Sequence, residues 1–539
     1  MLRLTELSLP LDHAPEALRA AIVARLGIKD ADLLDFSVFK RSYDARKKNS
    51  SILFVYVIDA QLRNEAAVLQ RLAGDRNLGP APDTTYHFVA RAEAPPGERP
   101  VVVGFGPCGL FAALLLAQMG LRPIVLERGQ NVRQRTRDTW ALWRRRELTP
   151  ESNVQFGEGG AGLFSDGKLY SQIKDPKFYG RKVMQEFVQA GAPPEILYVS
   201  KPHIGTFRLT GVVAAMREEI IALGGEVRFG SKVTGLVLNA GQVEGVELAS
   251  GEVLRSRHVV LALGHSARDT FRMLQRQGVY LEAKPFAIGF RIEHPQSQID
   301  RARLGKYAGH PELGAADYKL TYQARNGRAV YSFCMCPGGT VVAATSEEGR
   351  VVTNGMSQYS RNERNANAGI VVGINPAQDF PGGPLAGVEL QEKLESAAYV
   401  LGGSDYSAPG QLVTDFLKGR ASTQFGEVLP SYKPGVKLTD LAGALPEYAI
   451  TAIREALPEF GKQILGFDRG DALLTGIETR TSSPLRITRD PDTLQSLNTR
   501  GLYPAGEGAG YAGGILSAGV DGIRVAEAVA LDLLGSKPA

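Results

Sequence analysis

The stretch Val101-Val-Val-Gly104-Phe-Gly106-Pro-Cys-Gly109 decides the fold of this chain of 539 residues. An apolar strand runs directly into a GxGxxG turn, and the apolar run Leu110 to Ala117 that follows predicts a buried helix. A second apolar strand, Pro123 to Leu126, leads to Glu127, 18 residues after the last glycine. A strand, a glycine turn, a helix and a second strand ending in an acid form the pattern of a dinucleotide-binding unit.

Each residue of this unit has a physical role. Gly104 permits the tight turn, Gly106 lets the backbone approach a pyrophosphate, and Gly109 lets helix and strand pack closely. The free N–H groups of the helix N-terminus face the phosphates. Glu127 is expected to accept hydrogen bonds from the adenosine ribose and to repel a 2′-phosphate, which disfavours NADP and leaves FAD or NAD. The predicted contacts here are Gly104, Gly106, Pro107, Gly109, Glu127 and Arg128.

Three further glycine segments complete the predicted cofactor site. The stretch Gln155 to Lys168 is rich in glycine and predicts an anion-binding nest of backbone N–H groups. An apolar strand, Val259 to Leu263, ends at a second glycine turn, and the segment Gly501 to Gly519 precedes a helix predicted over Ile523 to Leu534. The predicted contacts are Gly159, Gly160, Ala161, Gly162, Ser165, Gly264, Gly506, Glu507, Gly513, Gly514 and Ile515.

The last of these segments separates FAD from NAD, because it resembles the C-terminal flavin-binding segment of FAD oxidoreductases. In that pattern the acid, here Glu507, binds the ribityl chain, and a helix N-terminus near Gly514 faces the flavin pyrimidine edge. A helix dipole placed there would stabilise the negative charge of a reduced flavin. The resemblance therefore implies FAD as the cofactor.

Four more segments extend the resemblance over the whole chain: Lys201 to Gly205, Lys284 to His294, Phe333 to Gly339 and Gly476 to Pro484. With them the sequence resembles a largely uncharacterised family of bacterial FAD-dependent dehydrogenases that carry an N-terminal ferredoxin-like domain. This implies a fold and a cofactor but no reaction. Phe207 departs from the family pattern, in which an acid is commoner, and receives no role.

The predicted fold class is α/β, a Rossmann-like FAD-binding domain with an inserted α+β substrate domain. Residues 1–93 read as a βαββαβ ferredoxin-like domain, with its last strand at Thr85 to Val89. Residues 94–100 read as a linker. The FAD-binding domain is expected over residues 98–283 and again over residues 473–539, with the substrate or cap domain over residues 284–472.

Candidates for the reacting groups lie in or near the inserted domain. His265 could deliver a proton, and Arg291 or Arg480 could hold an anionic substrate by a bidentate contact. Cys334 and Cys336 alternate along an apolar segment, so on a strand they would share a face. For each of these residues an ordinary structural role is an open alternative, and a redox pair is disfavoured because thiols two apart on a strand diverge from disulfide geometry.

The composition of the chain limits which partners, metal sites and locations are expected. The net charge of +5 is small beside 62 basic and 57 acidic residues, so it supports a weak preference for anionic ligands and does not indicate a nucleic-acid partner. Three cysteines without metal spacing predict neither a disulfide framework nor a zinc site. No signal peptide is visible and the longest apolar run is too short for a membrane span, so a cytoplasmic location is expected.

The predicted function is hydride transfer between flavin N5 and a small organic substrate. No second nucleotide fingerprint is visible, so NAD(P)H is an alternative only as a transient electron donor. A rival interpretation is FAD-assisted RNA modification or RNA binding through the stretch Phe39 to Lys48, which is basic and aromatic but is expected to form a turn and lacks an RNP pattern. A non-catalytic flavin-binding module is the third alternative.

Overall fold

The computed structural model describes residues 1–46, 51–94 and 97–535. The N-terminal unit has four antiparallel strands in the order β2-β3-β1-β4. Its element order is βαββαβ, and the ferredoxin-like classification stays a prediction. The elements are β1 (Leu2–Pro10), α1 (Pro15–Leu26), β2 (Leu33–Asp44), β3 (Leu53–Leu62), α2 (Glu65–Arg71) and β4 (Leu78–Pro80).

The last strand of this unit lies earlier than predicted. Thr85 to Val89 forms no strand, so that prediction is wrong. The alternating aromatic residues there pack against the rest of the protein: Tyr86 donates a hydrogen bond of 2.9 Å to Glu527 and its ring lies 6.0 Å from that of Tyr179. The predicted linker, residues 94–100, contains two residues, 95 and 96, that lie outside the described part of the chain.

The stretch Phe39 to Lys48 also differs from its prediction. Its first six residues belong to β2 and form no turn, while Lys47 and Lys48 lie outside the described residues. The guanidinium groups of Arg3 and Arg181 lie 3.5 and 5.1 Å from the centre of the Phe39 ring. Because this ring already has two cationic partners, its surroundings do not favour the RNA-binding alternative.

The second unit is α/β. Its strands and helices are β5 (Val101–Val103), α3 (Pro107–Gln118), β6 (Ile124–Leu126), α4 (Val132–Arg145), α5 (Tyr179–Gln189), α6 (Thr206–Ala222), β7 (Glu226–Arg228), β8 (Val233–Asn239), β9 (Gln242–Leu248), β10 (Val253–Arg255), β11 (Val259–Leu261), α7 (Arg268–Arg276) and β12 (Leu281–Ala283). Strands β8, β9 and β10 form a small antiparallel sheet.

The inserted unit begins after β12. Its elements are β13 (Phe286–Pro295), α8 (Gln296–Leu304), β14 (Thr321–Gln323), β15 (Ala329–Ala343), β16 (Thr353–Ser357), β17 (Asn365–Ile374), α9 (Pro376–Asp379), α10 (Ala386–Leu401), β18 (Ala408–Leu412), α11 (Val413–Lys418), β19 (Val436–Leu438), α12 (Glu447–Gln463) and β20 (Leu473–Glu478). The chain then returns with β21 (Leu485–Ile487), β22 (Leu502–Pro504) and α13 (Ile515–Leu533).

The parallel sheet fixes where the site lies. Its five strands run in the order β22-β11-β5-β6-β7, and all four pairings are parallel. The carboxyl ends of these strands therefore meet at one edge, where β5 is followed by Gly104, β6 by Glu127, and β22 by Ala505 and then Gly506. Ligands of open α/β sheets bind at this edge.

The large sheet belongs to the inserted unit. Its main path is β14-β15-β17-β13-β20-β18-β19, with β16 paired to β15. Strand β20 pairs with both β13 and β18. Because these partners lie inside the insertion, we propose that the inserted domain continues through residue 478 and does not end at residue 472, where the sequence placed its limit.

Helices α3 and α13 cross in close contact on the parallel sheet. Helix α13 begins at Ile515, eight residues before the predicted Ile523, because two glycines that resemble turn residues in the sequence serve helix packing. A Cβ on Gly522 would lie 2.3 Å from the Cys108 carbonyl oxygen, and one on Gly519 would lie 3.0 Å from the Phe111 ring. The two helix backbones can approach this closely only with glycine at these positions.

No helix in the described ranges combines the length and the apolar character needed to cross a membrane.

Replacing Gly522 by alanine should separate the two helices. The new Cβ meets a backbone carbonyl that cannot rotate away, so we expect a loss of about 1–3 kcal/mol in the free energy of unfolding. Gly211 is the control, since it is an exposed glycine of α6 with nothing within 4 Å of a Cβ. There alanine should stabilise by about 0.5–1 kcal/mol. Urea unfolding checks both, and equal effects would contradict this account of the crossing.

Candidate active site

A single open cleft lies at the carboxyl edge of the parallel sheet and extends to the inserted sheet. The space between its walls, together with the solvent at its mouth, is ≈ 1570 Å³. Its walls come from the start of α3, the loop of residues 155–168, the turn after β11, the start of α13, and strands β15 and β16. The cleft thus joins the nucleotide-binding edge of one domain to one face of the other.

Most of the predicted cofactor residues line this cleft. The lining members are Gly104, Gly106, Pro107, Glu127, Arg128, Gly160, Ala161, Gly162, Ser165, Gly264, Glu507, Gly513, Gly514 and Ile515. The hydroxyl of Ser165 is used within its own loop: it donates to the Gly162 carbonyl at 2.6 Å and accepts from the Gly167 N–H.

Three predicted contacts lie behind the wall and allow close packing. A Cβ on Gly109 would lie 1.9 Å from the Gly104 carbonyl oxygen. Gly506 has a φ of +73°, and a Cβ there would lie 2.8 Å from that of Cys108. Gly159 has a φ of +85° and donates its N–H to the Phe105 carbonyl. These glycines support the walls of the cleft and are not among the residues that line it.

Glu127 holds the glycine loops together. Its side-chain oxygens accept backbone N–H groups from Phe105 at 2.9 Å, Gly129 at 2.8 Å and Gly157 at 2.9 Å. A carboxylate offers about four acceptor sites, so one is left for a ligand hydroxyl. The carboxylate therefore organises the loops and keeps the capacity for the ribose contact that the sequence predicted.

Arg135 is a structural residue that the sequence analysis missed. Its side chain is fully buried, and its guanidinium donates to the carbonyls of Asn153, Val154, Gly157 and Glu158 at 2.6 to 3.2 Å. Burial lowers its pKa to about 10. A Cβ on Gly157 would lie 2.4 Å from the Arg135 Cδ, so the glycine makes room for the guanidinium that fixes the loop.

Two helix N-termini open into the cleft without a side-chain cap. Helix α3 is preceded by Gly106 and helix α13 by Gly514, and neither N-cap is hydrogen-bonded by its own side chain. A Cβ built on Gly513 meets no atom within 4 Å, and one on Gly514 only just reaches Ser517. First-turn N–H groups without internal partners attract anionic groups. The donor set thus fits a diphosphate at one point and a flavin ring edge at another.

Glu507 lines the cleft between these elements. Burial raises its pKa to about 7, and the Lys284 ammonium offsets only part of that rise. Its carboxyl has no side-chain hydrogen bond to other described residues. It is therefore available to a ligand hydroxyl, as the sequence predicted for the ribityl chain.

His265 lines the cleft but is held neutral. Burial, with the nearby Arg480 and Arg268, lowers its pKa to about 3. Its Nδ1 lies 3.0 Å from the Ser266 hydroxyl. The charged imidazolium is therefore disfavoured, and the role of His265 as a proton donor stays a prediction.

Neither predicted arginine is available for an anionic substrate. Arg291 is fully buried outside the lining and makes a bidentate ion pair of 2.8 and 3.0 Å with Glu478. Arg480 lines the cleft but forms a bidentate pair of 3.0 and 2.8 Å with Glu395. Arg268 also holds that carboxylate, and the two guanidinium groups keep the pKa of Glu395 well below its usual range despite burial.

The two cysteines line the cleft without sharing a face. Cys334 has a φ of +40° and the strand register shifts between Phe333 and Cys336. Cys334 is therefore exposed to the cleft while Cys336 is buried and directs its thiol to the Cys334 carbonyl at 3.3 Å. Burial raises the pKa of the Cys336 thiol to about 11. The prediction of a shared face is wrong because the bulge breaks the alternation.

One end of the cleft carries a closed charge network. Arg128 bonds Glu151 at 2.6 Å and Asp269 at 2.8 Å, and Lys232 bonds the same two acids at 2.9 and 2.7 Å. This network follows Glu127 in the chain. The predicted contact Arg128 therefore lies beside Glu127 at this end of the cleft, with its charge already balanced.

Several lining residues were not predicted. Among them are Gln155, Lys168, Lys232, Ser266, Phe333, Asn354, Gly355 and Thr481. Lys168 lay inside a quoted glycine segment and could have been found there, whereas Asn354 and Gly355 carry no sequence signal of their own and reach the cleft only through the pairing of β16 with β15.

Comparisons with known proteins agree with this site. A family model for an FAD-dependent protein, C-terminal domain-like, matches residues 285–481, one for FAD dependent oxidoreductases matches residues 198–367, and a domain of unknown function matches residues 1–61. An uncharacterized protein of Clostridium beijerinckii is 49% identical over 528 residues, which is 98% of each chain.

Solved structures show weaker likeness. A geranylgeranyl bacteriochlorophyll reductase-like protein from Thermoplasma acidophilum is 13% identical, with 82% of this chain and 79% of that chain covered and a TM-score of 0.38. L-proline dehydrogenase from P. horikoshii is also 13% identical, with 82% and 95% covered and a TM-score of 0.33. Such low TM-scores make neither protein a guide to the substrate.

The fold and the cleft define an FAD-dependent oxidoreductase with a Rossmann-like α/β domain. The chain belongs to the uncharacterised family of FAD-dependent oxidoreductases that includes the Clostridium beijerinckii protein. The expected cofactor, fold class and enzyme class are confirmed.

Replacing Glu127 by glutamine should weaken FAD binding. The amide keeps one oxygen and turns an N–H group toward backbone donors, and an unsatisfied buried group costs about 1–3 kcal/mol. We expect the FAD dissociation constant to rise about 10-fold or more, measured by flavin fluorescence on FAD-free protein. The control is Glu389→Gln on an exposed position of α10. Equal affinities of both variants would show that Glu127 does not organise the site.

Replacing Glu507 by glutamine should change the pH dependence of stability. The pKa of Glu507 in the folded protein, about 7, lies above the ordinary 4.5, so the folded state binds the proton more tightly than the unfolded state. Deprotonation of this carboxyl therefore lowers the free energy of unfolding of the wild-type protein as pH rises from 4.5 to 7. The variant lacks that loss. Its free energy of unfolding relative to wild type should therefore increase over this window, measured by urea unfolding of FAD-free protein. A difference independent of pH would contradict the assignment.

Proposed function

We propose that FAD lies along the cleft and that a small organic substrate binds at the end formed by the inserted domain, where it exchanges a hydride with flavin N5. The observation that carries the proposal is that one cleft is lined both by the nucleotide-binding edge of the parallel sheet and by strands of the inserted domain. Glycine segments and two uncapped helix N-termini form one part, and strands β15 and β16 form the other. Bound FAD supplies the hydride chemistry.

The residues of the chain hold and orient the reactants. The first turn of α3, after Gly106, suits the diphosphate, and Glu127 suits the adenosine ribose. Gly160 to Gly162 belong to a loop that Arg135 and Glu127 fix from behind. Because hydrogen bonds within the protein hold these groups in place, little reorganisation is needed on binding.

The inserted domain supplies the substrate wall. Phe333 and Cys334 from β15 and Asn354 from β16 line the cleft there. A ring, a neutral thiol and an amide give this end a mixed character that suits a small organic molecule. Arg480 and His265 also line the cleft, and the buried Glu395 holds the Arg480 guanidinium away from substrate charge.

The location and the partners follow the same proposal. We place the enzyme in the cytoplasm because Cys108, Cys334 and Cys336 are all free thiols, as is usual in a reducing compartment. We propose a small molecule as its partner, with NAD(P)H as an alternative transient electron donor.

Anaerobic reduction tests the hydride step. The purified holoenzyme is mixed with NADH, then NADPH, each with and without deuterium at the transferred C4 position, and the flavin absorbance near roughly 450 nm is followed. We expect bleaching by at least one donor, and slower bleaching with deuterium, because the C–H bond breaks in the step. Dithionite controls for a reducible flavin. Bleaching at the same rate with both isotopes would contradict hydride transfer.

A further inference from the structure

The cations that line the cleft differ in how their charge is balanced. Among the described residues they are Arg128, Lys168, Lys232 and Arg480. Arg128 and Lys232 share Glu151 and Asp269, and Arg480 is bound to Glu395, all at 3.0 Å or less. A cation held by a carboxylate in this way has little attraction left for a substrate anion. Three of the four are therefore excluded as anion sites.

Lys168 is the exception. Its nearest carboxylate oxygen, on Asp166, lies 3.9 Å away, beyond hydrogen-bond distance. Asp166 is committed to another partner, because both of its oxygens bind the Arg361 guanidinium at 3.0 and 2.5 Å. The ammonium donates to the Met335 carbonyl. A lysine has three N–H donors, so two remain without an acceptor in the described part of the chain.

Lys168 keeps its charge in this setting. Burial lowers its pKa, but the acidic groups around it, among them the Asp166 carboxylate, more than offset that effect, and the pKa lies above its ordinary value. The exposed fraction of its side chain is 22%, which is surface turned to the cleft. A charged ammonium with two open donors and limited contact with water is thus available to a ligand.

Its position is at the substrate end. The contact with the Met335 carbonyl ties Lys168 to β15, the strand that carries Phe333 and Cys334. The uncharged groups on this wall, including Asn354, provide no competing counter-ion. Of the lining acids, Glu127 accepts backbone N–H groups, Asp166 is held by Arg361, and Glu507 is not within 4.0 Å of Lys168.

We propose that Lys168 binds a carboxylate of the substrate, so that this oxidoreductase acts on a small organic acid in its anionic form. The inference rests on the proposed function, because it places the substrate at the inserted-domain end of the FAD cleft. One ammonium with two open donors matches the single charge and two oxygens of a carboxylate. A phosphate dianion would leave one charge unbalanced here, since the other cations are already paired.

The test compares two probes on the FAD-loaded enzyme. Benzoate and benzamide have nearly the same shape and differ in charge, and binding beside a flavin perturbs its visible spectrum. We expect benzoate to bind about 10-fold or more tightly than benzamide, as one charge-assisted contact would give. Absence of any preference for benzoate would overturn the proposal.

Variants assign the preference to one residue. Lys168→Met should abolish the preference by weakening benzoate alone, and Lys168→Arg should keep most of it. Lys174→Met is the matched control, because it removes the same charge from an exposed loop position outside the cleft. Bound flavin and the thermal unfolding midpoint verify that each variant is folded. If Lys168→Met holds no FAD, the proposal is decided by whether the wild-type enzyme and Lys168→Arg both bind benzoate more tightly than benzamide.

Two outcomes separate this inference from its alternatives. If Lys168→Met leaves the preference for benzoate intact but lowers the flavin reduction potential, the ammonium serves the reduced flavin and not the substrate, and the proposal is wrong. If the wild-type enzyme binds no FAD at all, the proposed function fails. FAD binding without a carboxylate preference overturns only the inference.

Discussion

The approach of the Gly104 turn to the neighbouring strand is the constraint on which the site depends. Gly104 has a φ of +99°, and a Cβ there would lie 2.5 Å from the carbonyl oxygen of Ala262, just beyond β11. Gly109 in turn packs against the carbonyl of Gly104. Both contacts involve backbone atoms that cannot move aside, so only glycine permits the approach. The turn therefore places the start of α3 at the strand ends, where the cleft begins.

Buried polar groups hold the remaining walls at that edge. The carboxylate of Glu127 gathers three backbone N–H groups, and the guanidinium of Arg135 gathers four carbonyls of the facing loop. At the junction with the inserted domain, the carboxylate of Glu395 forms ion pairs with the guanidinium groups of Arg268 and Arg480. These networks leave few free charged or polar side chains in the cleft, and those few are the candidates for its chemistry.

The sequence predicted what depends on local pattern and missed what depends on distant pairing. The spacing of the glycine segments and of Glu127 reports a fixed backbone path, and the resemblance to the flavin-binding segment of FAD oxidoreductases implies Glu507. The pairing of Arg291 with Glu478 and the bulge at Cys334 arise from contacts across a sheet that no local pattern reveals. Arg135 also acts through contacts that are distant in sequence, so no local pattern indicates its role. The alternation over Thr85 to Val89 is typical of a strand, but Tyr86 in this segment packs on another domain.

The most direct test of the central claim is a crystal structure of the protein reconstituted with FAD. The account predicts the diphosphate at the N-terminus of α3, a ribose hydroxyl on Glu127, and the isoalloxazine extending past Glu507 toward β15 and β16. Density for FAD elsewhere on the molecule, or in the cleft with the flavin ring pointing away from the inserted sheet, would contradict it.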